Sequence, residues 1–119
     1  MRLGALAALL SFALSVGAED NGYQCKYDGI QQEMNACAVR DYKKAEAVLN
    51  ETYKKRMATL SATDQQRLRQ EQRAWLSKRD PHCKEEAKDS EGGSMWQLEF
   101  FTCLQSATDR RTEELKQWR

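Results

Sequence analysis

Four cysteines and one histidine are the residues whose types and spacing most readily suggest chemistry. The cysteines are Cys25, Cys37, Cys83 and Cys103, and His82 directly precedes one of them. Structural zinc sites usually contain ligands two to four residues apart, and no two of these cysteines are that close. An even number of cysteines in an exported chain instead predicts two disulfides. We therefore expect no metal site and no cofactor.

The chain shows no clear catalytic constellation. His82 has no evident acid and free nucleophile to complete a triad, because the cysteines are expected to be oxidised. Glycoside hydrolysis requires two carboxyl groups facing each other across a cleft, and a small helical domain offers few clefts. We therefore predict no catalytic residues and a protein that is not an enzyme.

The first 18 residues have the pattern of a secretory signal peptide. Arg2 supplies the positive start, residues 3–16 are almost all apolar, and small residues precede a cleavage site after Ala18. The apolar run is short for a membrane span, and the sequence before Cys25 lacks the pattern of a lipid-anchored cysteine. We expect a soluble periplasmic or secreted protein with no stable membrane anchor after cleavage, and one domain over residues 19–119.

The charge of that domain limits the choice of partner. The whole chain has 19 Lys plus Arg and 18 Asp plus Glu, and loss of Arg2 with the signal peptide leaves 18 of each. Nucleic-acid binding requires a surplus of basic residues, so nucleic acid is not expected as a partner. A domain of about 100 residues buries a modest fraction of its surface, so disulfides would add useful stability.

The hydrophobic pattern predicts three helices and no strand of useful length. The first, about 30 residues long, follows a cap at Asp28 and presents one apolar stripe to the core. The second begins near residues 61–64, capped through Ser61 and Asp64 or through Thr63 and Gln66. The third follows the turn at residues 88–93 and is capped by Ser94. The predicted fold is all-α, a three-helix antiparallel bundle stapled by two disulfides.

The segment QRAWLSKRDPHC, residues 72–83, is polar for the core stripe of a helix. Pro81 removes a backbone hydrogen bond, so we predict a kink at residues 77–81, with Asp80 capping a further helical stretch to about residue 88. Arg79 and Asp80 have two interpretations, a binding site or a structural ion pair, and the ion pair is favoured because such networks are common. Trp75 is interpreted as a core residue.

The disulfide pairing is not fixed by spacing alone. Cys83 lies ten residues before Gly93 and Cys103 ten residues after it, so a helical hairpin turning at Gly93 brings them level. We favour Cys25–Cys37 with Cys83–Cys103. The alternative is Cys37–Cys83 with Cys25–Cys103.

Several short motifs together resemble one bacterial family. EMNACA (33–38), QRAWLSKRDPHC (72–83), GGS (92–94), CL (103–104) and RTEEL (111–115) occur in order with fitting gaps. The chain resembles the LprI-type lysozyme inhibitor domain over about residues 23–117. The positions that match the family's pattern, besides Cys37, Cys83, Cys103 and the GGS turn, are Asn35, Gln72, Arg73, Trp75, Arg79, Asp80, Arg111 and Thr112. The chain departs from the pattern at Pro81 and in having no lipid-attachment cysteine.

The resemblance implies an exported helical protein of the bacterial envelope that binds and blocks a lysozyme. The predicted contact surface is the turn formed by Gly92, Gly93, Ser94, Met95 and Trp96, with Met95 and Trp96 exposed. Acidic residues flank this turn and would suit a basic lysozyme. The alternative function is that of a periplasmic interaction or stress protein whose partner is a protein other than lysozyme. Another interpretation of the turn is that its glycines only permit a tight bend and Ser94 only caps a helix.

Overall fold

The computed structural model describes residues 25–119. This part of the chain contains three α-helices and no strand: α1 spans Gln31–Ala58, α2 spans Ala62–Glu86 and α3 spans Trp96–Gln117. A 3-10 turn at Lys88–Ser90 lies between α2 and α3. The all-helical prediction is therefore confirmed for these residues. The predicted signal peptide lies outside the described residues, and none of the described helices is apolar enough along its length to cross a bilayer.

The first helix buries one face, as the periodic pattern predicted. Cys37, Ala38, Ala45 and Leu49 recur at helical spacing and are all buried. The predicted cap at Asp28 is wrong: the N-cap is Ile30, with an extended backbone and no side-chain cap hydrogen bond. Asp28 instead lies in a turn whose Gly29 amide donates to the Lys26 carbonyl.

The second helix begins at one of its two predicted caps. The Ser61 side chain accepts a hydrogen bond from the Asp64 amide at 3.2 Å, which satisfies one of the free donors at the helix start. The helix continues through Pro81 to Glu86. Asp80 therefore lies inside one continuous helix and does not cap a restarted one, which corrects the prediction. A bend of the helix axis at Pro81 stays a prediction.

Two apolar clusters form the core. One contains Leu49, Leu68, Leu115 and Trp118, with partly buried aliphatic and aromatic side chains around it. The other lies nearer the start of α3 and contains Cys83, Ala87, Phe100 and Leu104. The third helix contributes to both clusters, and it is the main packing partner of α1. Burial of these side chains from all three helices supplies the main stabilising term of the fold.

Polar contacts show how the helices are aligned. Asn35, near the start of α1, donates to the Ser94 carbonyl just before α3, and Arg56, near the end of α1, donates to the Trp118 carbonyl after α3. The middle of α2 contacts the second half of α3, where Arg111 Nε donates to Gln72 Oε1 at 2.9 Å. These contacts hold both ends of α1 against α3.

One of the two predicted disulfides is formed. Cys83 and Cys103 are bonded, with their Cα atoms 5.5 Å apart, which confirms this pair and excludes the alternative pairing. The hairpin around Gly93 places the two cysteines level, as the equal spacing predicted. Cys25 and Cys37 are free thiols that share a hydrogen bond, so the second predicted pair is close but not bonded.

Candidate binding turn and the buried arginine layer

The turn before α3 is the most exposed of the predicted sites. Residues 91–95 are all exposed, and 42% of Met95 is accessible to solvent. Gly92 has a φ of 80°, a conformation that costs little for glycine and is strained for other residues. A Cβ at that position would meet no atom within 4 Å, so the backbone conformation alone favours glycine there.

Both helices beside the turn hold it in place. The Asn35 amide nitrogen donates to the Ser94 carbonyl oxygen at 3.0 Å, and the Ser90 hydroxyl donates to Glu99 Oε2 at 2.7 Å. Trp96 stacks on Phe100, with the ring centroids 4.8 Å apart. The turn is therefore attached to α1 and α3 by contacts made within the free protein.

Two predictions about this turn need correction. Ser94 is not the N-cap of α3, because the helix begins at Trp96 and its N-cap is Met95, which makes no side-chain cap hydrogen bond. The carbonyl of Ser94 serves instead as the acceptor for Asn35. Trp96 is half-buried rather than exposed, because its ring packs on Phe100. Met95 is therefore the exposed apolar side chain of the turn.

Arg79 is the centre of a polar layer between the three helices. Only 8% of the residue is exposed, and its Nη2 donates to the Tyr42 hydroxyl at 2.9 Å. Nη1 lies 3.3 Å from Glu46 Oε1 and 3.4 Å from Thr108 Oγ1. Nε donates to Asp80 Oδ1 at 3.0 Å. Every nitrogen of the guanidinium thus has a partner, which offsets the cost of burying its charge.

The same contacts shift two pKa values. Burial, and then the hydrogen bond that its hydroxyl donates to Glu46, raise the pKa of Tyr42 to about 12. Burial by itself lowers the pKa of Arg79, but the hydrogen bond to Asp80 and the nearby acidic groups outweigh it, so the pKa is raised. Tyr42 therefore stays neutral and Arg79 stays charged in ordinary conditions. The arrangement suits a structural role, because neither group is poised to exchange a proton near neutral pH.

A second buried arginine, Arg111, lies on α3. Arg111 Nε donates to Gln72, and Nη1 donates to Glu114 Oε2 at 3.0 Å. Its Nη2 is buried without a hydrogen-bond partner among the described residues. The Thr112 hydroxyl donates to the Thr108 carbonyl at 3.1 Å, which satisfies it within α3. The polar stripe of residues 72–83 therefore faces the core and is matched by polar groups on α1 and α3.

Comparisons with known proteins identify the family of the chain. The family model for the lysozyme inhibitor LprI matches residues 24–115. The chain belongs to the LprI family. The uncharacterized protein R02472 of Rhizobium meliloti (strain 1021) is 33% identical over an alignment of 126 positions, gaps included, which covers 95% of this chain and 91% of that protein. No solved structure matches the chain.

The residues predicted to match the LprI-family pattern lie in different surroundings. Gln72, Arg79, Arg111 and Thr112 are buried in the polar layer, and Trp75 is half-buried with the Arg79 guanidinium 5.3 Å from its ring centroid. Two others, Arg73 and Asp80, are exposed on α2, and Asn35 holds the turn. Most of the buried positions therefore build and orient the helices, and the exposed part of the pattern consists of the turn together with Arg73 and Asp80.

The sequence reasoning missed some of the partners in this LprI-family chain. Tyr42 and Glu46 bind Arg79, and their spacing of four residues on α1, beside the apolar stripe, is the signal that would have identified them. Trp118 was also missed, although it lies three residues after the buried Leu115. Its indole Nε1 donates to Glu71 Oε2 at 2.6 Å.

Neither a metal-binding cluster nor a reactive cysteine is found among residues 25–119. No group of three or more metal-ligating side chains occurs within residues 25–119. The hydrogen bond with Cys37 is the main cause that raises the pKa of the Cys25 thiol to about 11, which disfavours the thiolate that a nucleophilic cysteine requires.

Proposed function

We propose that this protein is an exported lysozyme inhibitor that binds a lysozyme through the turn at residues 92–96 and blocks its cleavage of peptidoglycan. Membership of a family named for lysozyme inhibition is the observation that carries the proposal. In this proposal the protein contributes a binding surface and no catalytic group. It works in the periplasm or outside the cell, after loss of its signal peptide.

The turn is favoured as the contact surface because it is exposed and already ordered. A segment that is held in its bound conformation before binding loses less conformational entropy when the complex forms. Three contacts restrain this part of the chain: the hydrogen bond from Asn35, the stacking of Trp96 on Phe100, and the disulfide between Cys83 and Cys103. Met95 then supplies an apolar side chain that can enter a cleft.

Charge near the turn supports the same partner. Residues 84–91 contain four acidic side chains and two lysines, so this segment is negative although the domain is neutral. Glu85 is engaged by Lys88 at 2.6 Å, whereas Asp89 and Glu91 lie closest to the turn. A locally negative surface speeds encounter with a basic enzyme and aligns the two proteins.

Two features of the mature protein complete the proposal. The three helices form an antiparallel bundle. The Cys83–Cys103 bond, between the end of α2 and the first half of α3, and the Arg111–Gln72 hydrogen bond, farther from the turn on both helices, support opposite directions for α2 and α3. Cys25 and Cys37 form a second disulfide by thiol–disulfide exchange with an oxidised partner in the exporting compartment, which their shared hydrogen bond supports. Mass spectrometry of the alkylated, unreduced protein tests this bond, since two alkylated cysteines would contradict it.

The proposed function is tested by measuring peptidoglycan cleavage by animal-type and goose-type lysozymes in the presence of the oxidised mature protein at physiological salt. We expect saturable inhibition at a ratio near one to one. The Met95→Asp variant should inhibit at least about tenfold more weakly, since burial of a charge in an interface is unfavourable.

Leu76→Asp is the matched control, because Leu76 is 43% exposed and Met95 is 42% exposed. It lies on α2 away from the turn and should leave inhibition unchanged. Equal losses in the two variants would reject the turn as the contact surface. No inhibition of either enzyme at a large molar excess would reject the lysozyme partner and leave the alternative of another envelope protein.

A further inference from the structure

A small cleft between α2 and α3 has a different chemical character from the turn. Its volume is about 270 Å³, and its walls include Trp75, Lys78 and His82 of α2 with Arg110 and Glu114 of α3. We call it the basic cleft. Arg110 is fourteen residues after Trp96, so the basic cleft lies about 20 Å along α3 from the turn. It is therefore separate from the proposed lysozyme contact.

The charges at the basic cleft are not balanced within the described fold. Arg79, which also borders it, is neutralised by Asp80 and Glu46. The carboxylate of Glu114 is taken up by Arg111. Lys78 and Arg110 lie on different helices, line the same cleft, and have no ion-pair partner within residues 25–119.

An anion in this cleft would be attracted by two cations that have no ion-pair partner within residues 25–119. An arginine and a lysine also suit a carboxylate, because charge-assisted hydrogen bonds to it are about twice as strong as neutral ones. Trp75 adds a half-buried aromatic ring beside these cations. The cleft thus combines an anion-binding pair with an apolar face.

We propose that the basic cleft binds a carboxylate-bearing sugar, with Lys78 and Arg110 holding the carboxylate and Trp75 packing against the ring. The cleft is concave, and its volume of about 270 Å³ is close to the lower end of the range of small-molecule sites. A single sugar unit is a ligand of suitable size for it.

The surface beyond the basic cleft suits a longer glycan. A larger groove of about 700 Å³ shares His82 and Arg110 with it and continues toward Tyr27. Thr102 and Ser106 line that groove and supply hydroxyl groups able to bond to sugar hydroxyls. A chain of sugars bound at the basic cleft would therefore extend along α3 over mixed apolar and polar groups.

The test is a nuclear magnetic resonance titration of the oxidised mature protein with N-acetylmuramic acid, and separately with N-acetylglucosamine. The two sugars share the ring and the acetamido group, but only the first carries a carboxylate. We expect saturable shifts with N-acetylmuramic acid and at least about tenfold weaker binding of N-acetylglucosamine. The indole signal of Trp75 should move, while those of Trp96 and Trp118 stay in place.

Variants assign the binding to the two cations. Lys78→Gln and Arg110→Gln should each weaken binding of N-acetylmuramic acid by about tenfold, because each removes a charge-assisted hydrogen bond. Lys84→Gln removes the same charge from an exposed position on α2 that does not line the basic cleft, and it should bind like the unmodified protein. All three positions are exposed, so these variants should keep the fold.

Three outcomes would overturn the proposal: equal affinity for the two sugars, an equal loss in Lys84→Gln, or no saturable shift up to the solubility limit of the sugar. A tri-glutamate peptide serves as a further probe. Binding of that peptide without binding of N-acetylmuramic acid would mean that the cleft receives acidic protein side chains instead. Because this site does not rest on the proposed lysozyme contact, either hypothesis can fail while the other stands.

Discussion

The two ends of the helical domain are stabilised in different ways. At the apolar end, defined by the cluster of Leu49, Leu68, Leu115 and Trp118, burial of large side chains dominates. At the turn end, defined by residues 83–103, a disulfide and side-chain hydrogen bonds add to the second apolar cluster. The difference shows how a small domain can keep an exposed turn ordered, since covalent and directional bonds fix residues 91–95 although these residues are themselves exposed.

The strongest test of this comparison is at the apolar end. Leu115→Ala should lower the free energy of unfolding by about 3–5 kcal/mol, because Leu115 is fully buried and the fold cannot close the cavity completely. Urea denaturation measures the effect. Leu76→Ala is the control and should change stability by less than about 0.5 kcal/mol, since Leu76 is largely exposed. A loss below 1 kcal/mol for Leu115→Ala would contradict the apolar end as the main source of stability.

Removal of the disulfide probes the turn end. The Cys83→Ser, Cys103→Ser double variant should lose roughly 3 kcal/mol, the chain-entropy value for a loop of this length. Amide hydrogen exchange should accelerate most at the start of α3 and in the 3-10 turn at Lys88–Ser90. Amides near Leu68 and Leu115 should accelerate only as much as the lower free energy of global unfolding requires. A uniform acceleration over the whole domain would show that the two ends are not stabilised separately.

A smaller effect is expected inside the turn. Gly92→Ala should cost about 1–2 kcal/mol, because alanine is strained at a φ of 80° although space for its Cβ is available. Thermal unfolding measures the change. Gly29→Ala is not a suitable control, because its Cβ would meet Glu33. The control is Ala47→Gly at an exposed position of α1, which should lower stability by about 1 kcal/mol through the ordinary difference between alanine and glycine in a helix. An unchanged melting temperature for Gly92→Ala would mean that the turn adopts another conformation.

The smallest effect depends on pH. The pKa of Tyr42 is raised from its ordinary value of 10.0 to about 12 in the fold, so the folded state favours the protonated hydroxyl. Its contribution to stability is therefore complete below pH 10 and is lost as the pH rises from about 10 to about 12. Stability curves over this range should fall less steeply for Tyr42→Phe. Equal slopes for the two proteins would contradict the role of Tyr42 in the polar layer.

Local sequence patterns predicted the helices and the disulfide of this protein better than its tertiary contacts. The stripe of α1, the Ser61 cap and the Cys83–Cys103 pair follow from spacing, because periodicity and equal distance from a turn act along the chain. The starts of α1 and α3 were misplaced, since neither uses a side-chain cap. Apart from the adjacent Asp80, the partners of Arg79 come from two other helices, so their selection depends on packing that no local pattern contains.

The same limit applies to the candidate sites. Exposure of Met95 agrees with the prediction, but Trp96 is half-buried because it stacks on a residue four positions later. The basic cleft was not anticipated at all, because Lys78 and Arg110 are separated by 31 intervening residues and become neighbours of one cavity only when α2 and α3 pack. The chain as a whole has nearly equal numbers of basic and acidic residues, so its net charge gave no sign of the unpaired cations at the basic cleft.

The packing of α1 determines how late in synthesis the protein can complete its fold. Its buried face is covered chiefly by α3, the helix that is synthesised last. A chain that still lacks residues 96–117 carries Leu49 and its neighbours without their cover, and such exposed apolar surface favours aggregation. The nascent protein therefore cannot complete its core until synthesis is nearly finished. This delay is compatible with the proposed export, in which the chain would cross a membrane in an extended form and fold on the far side.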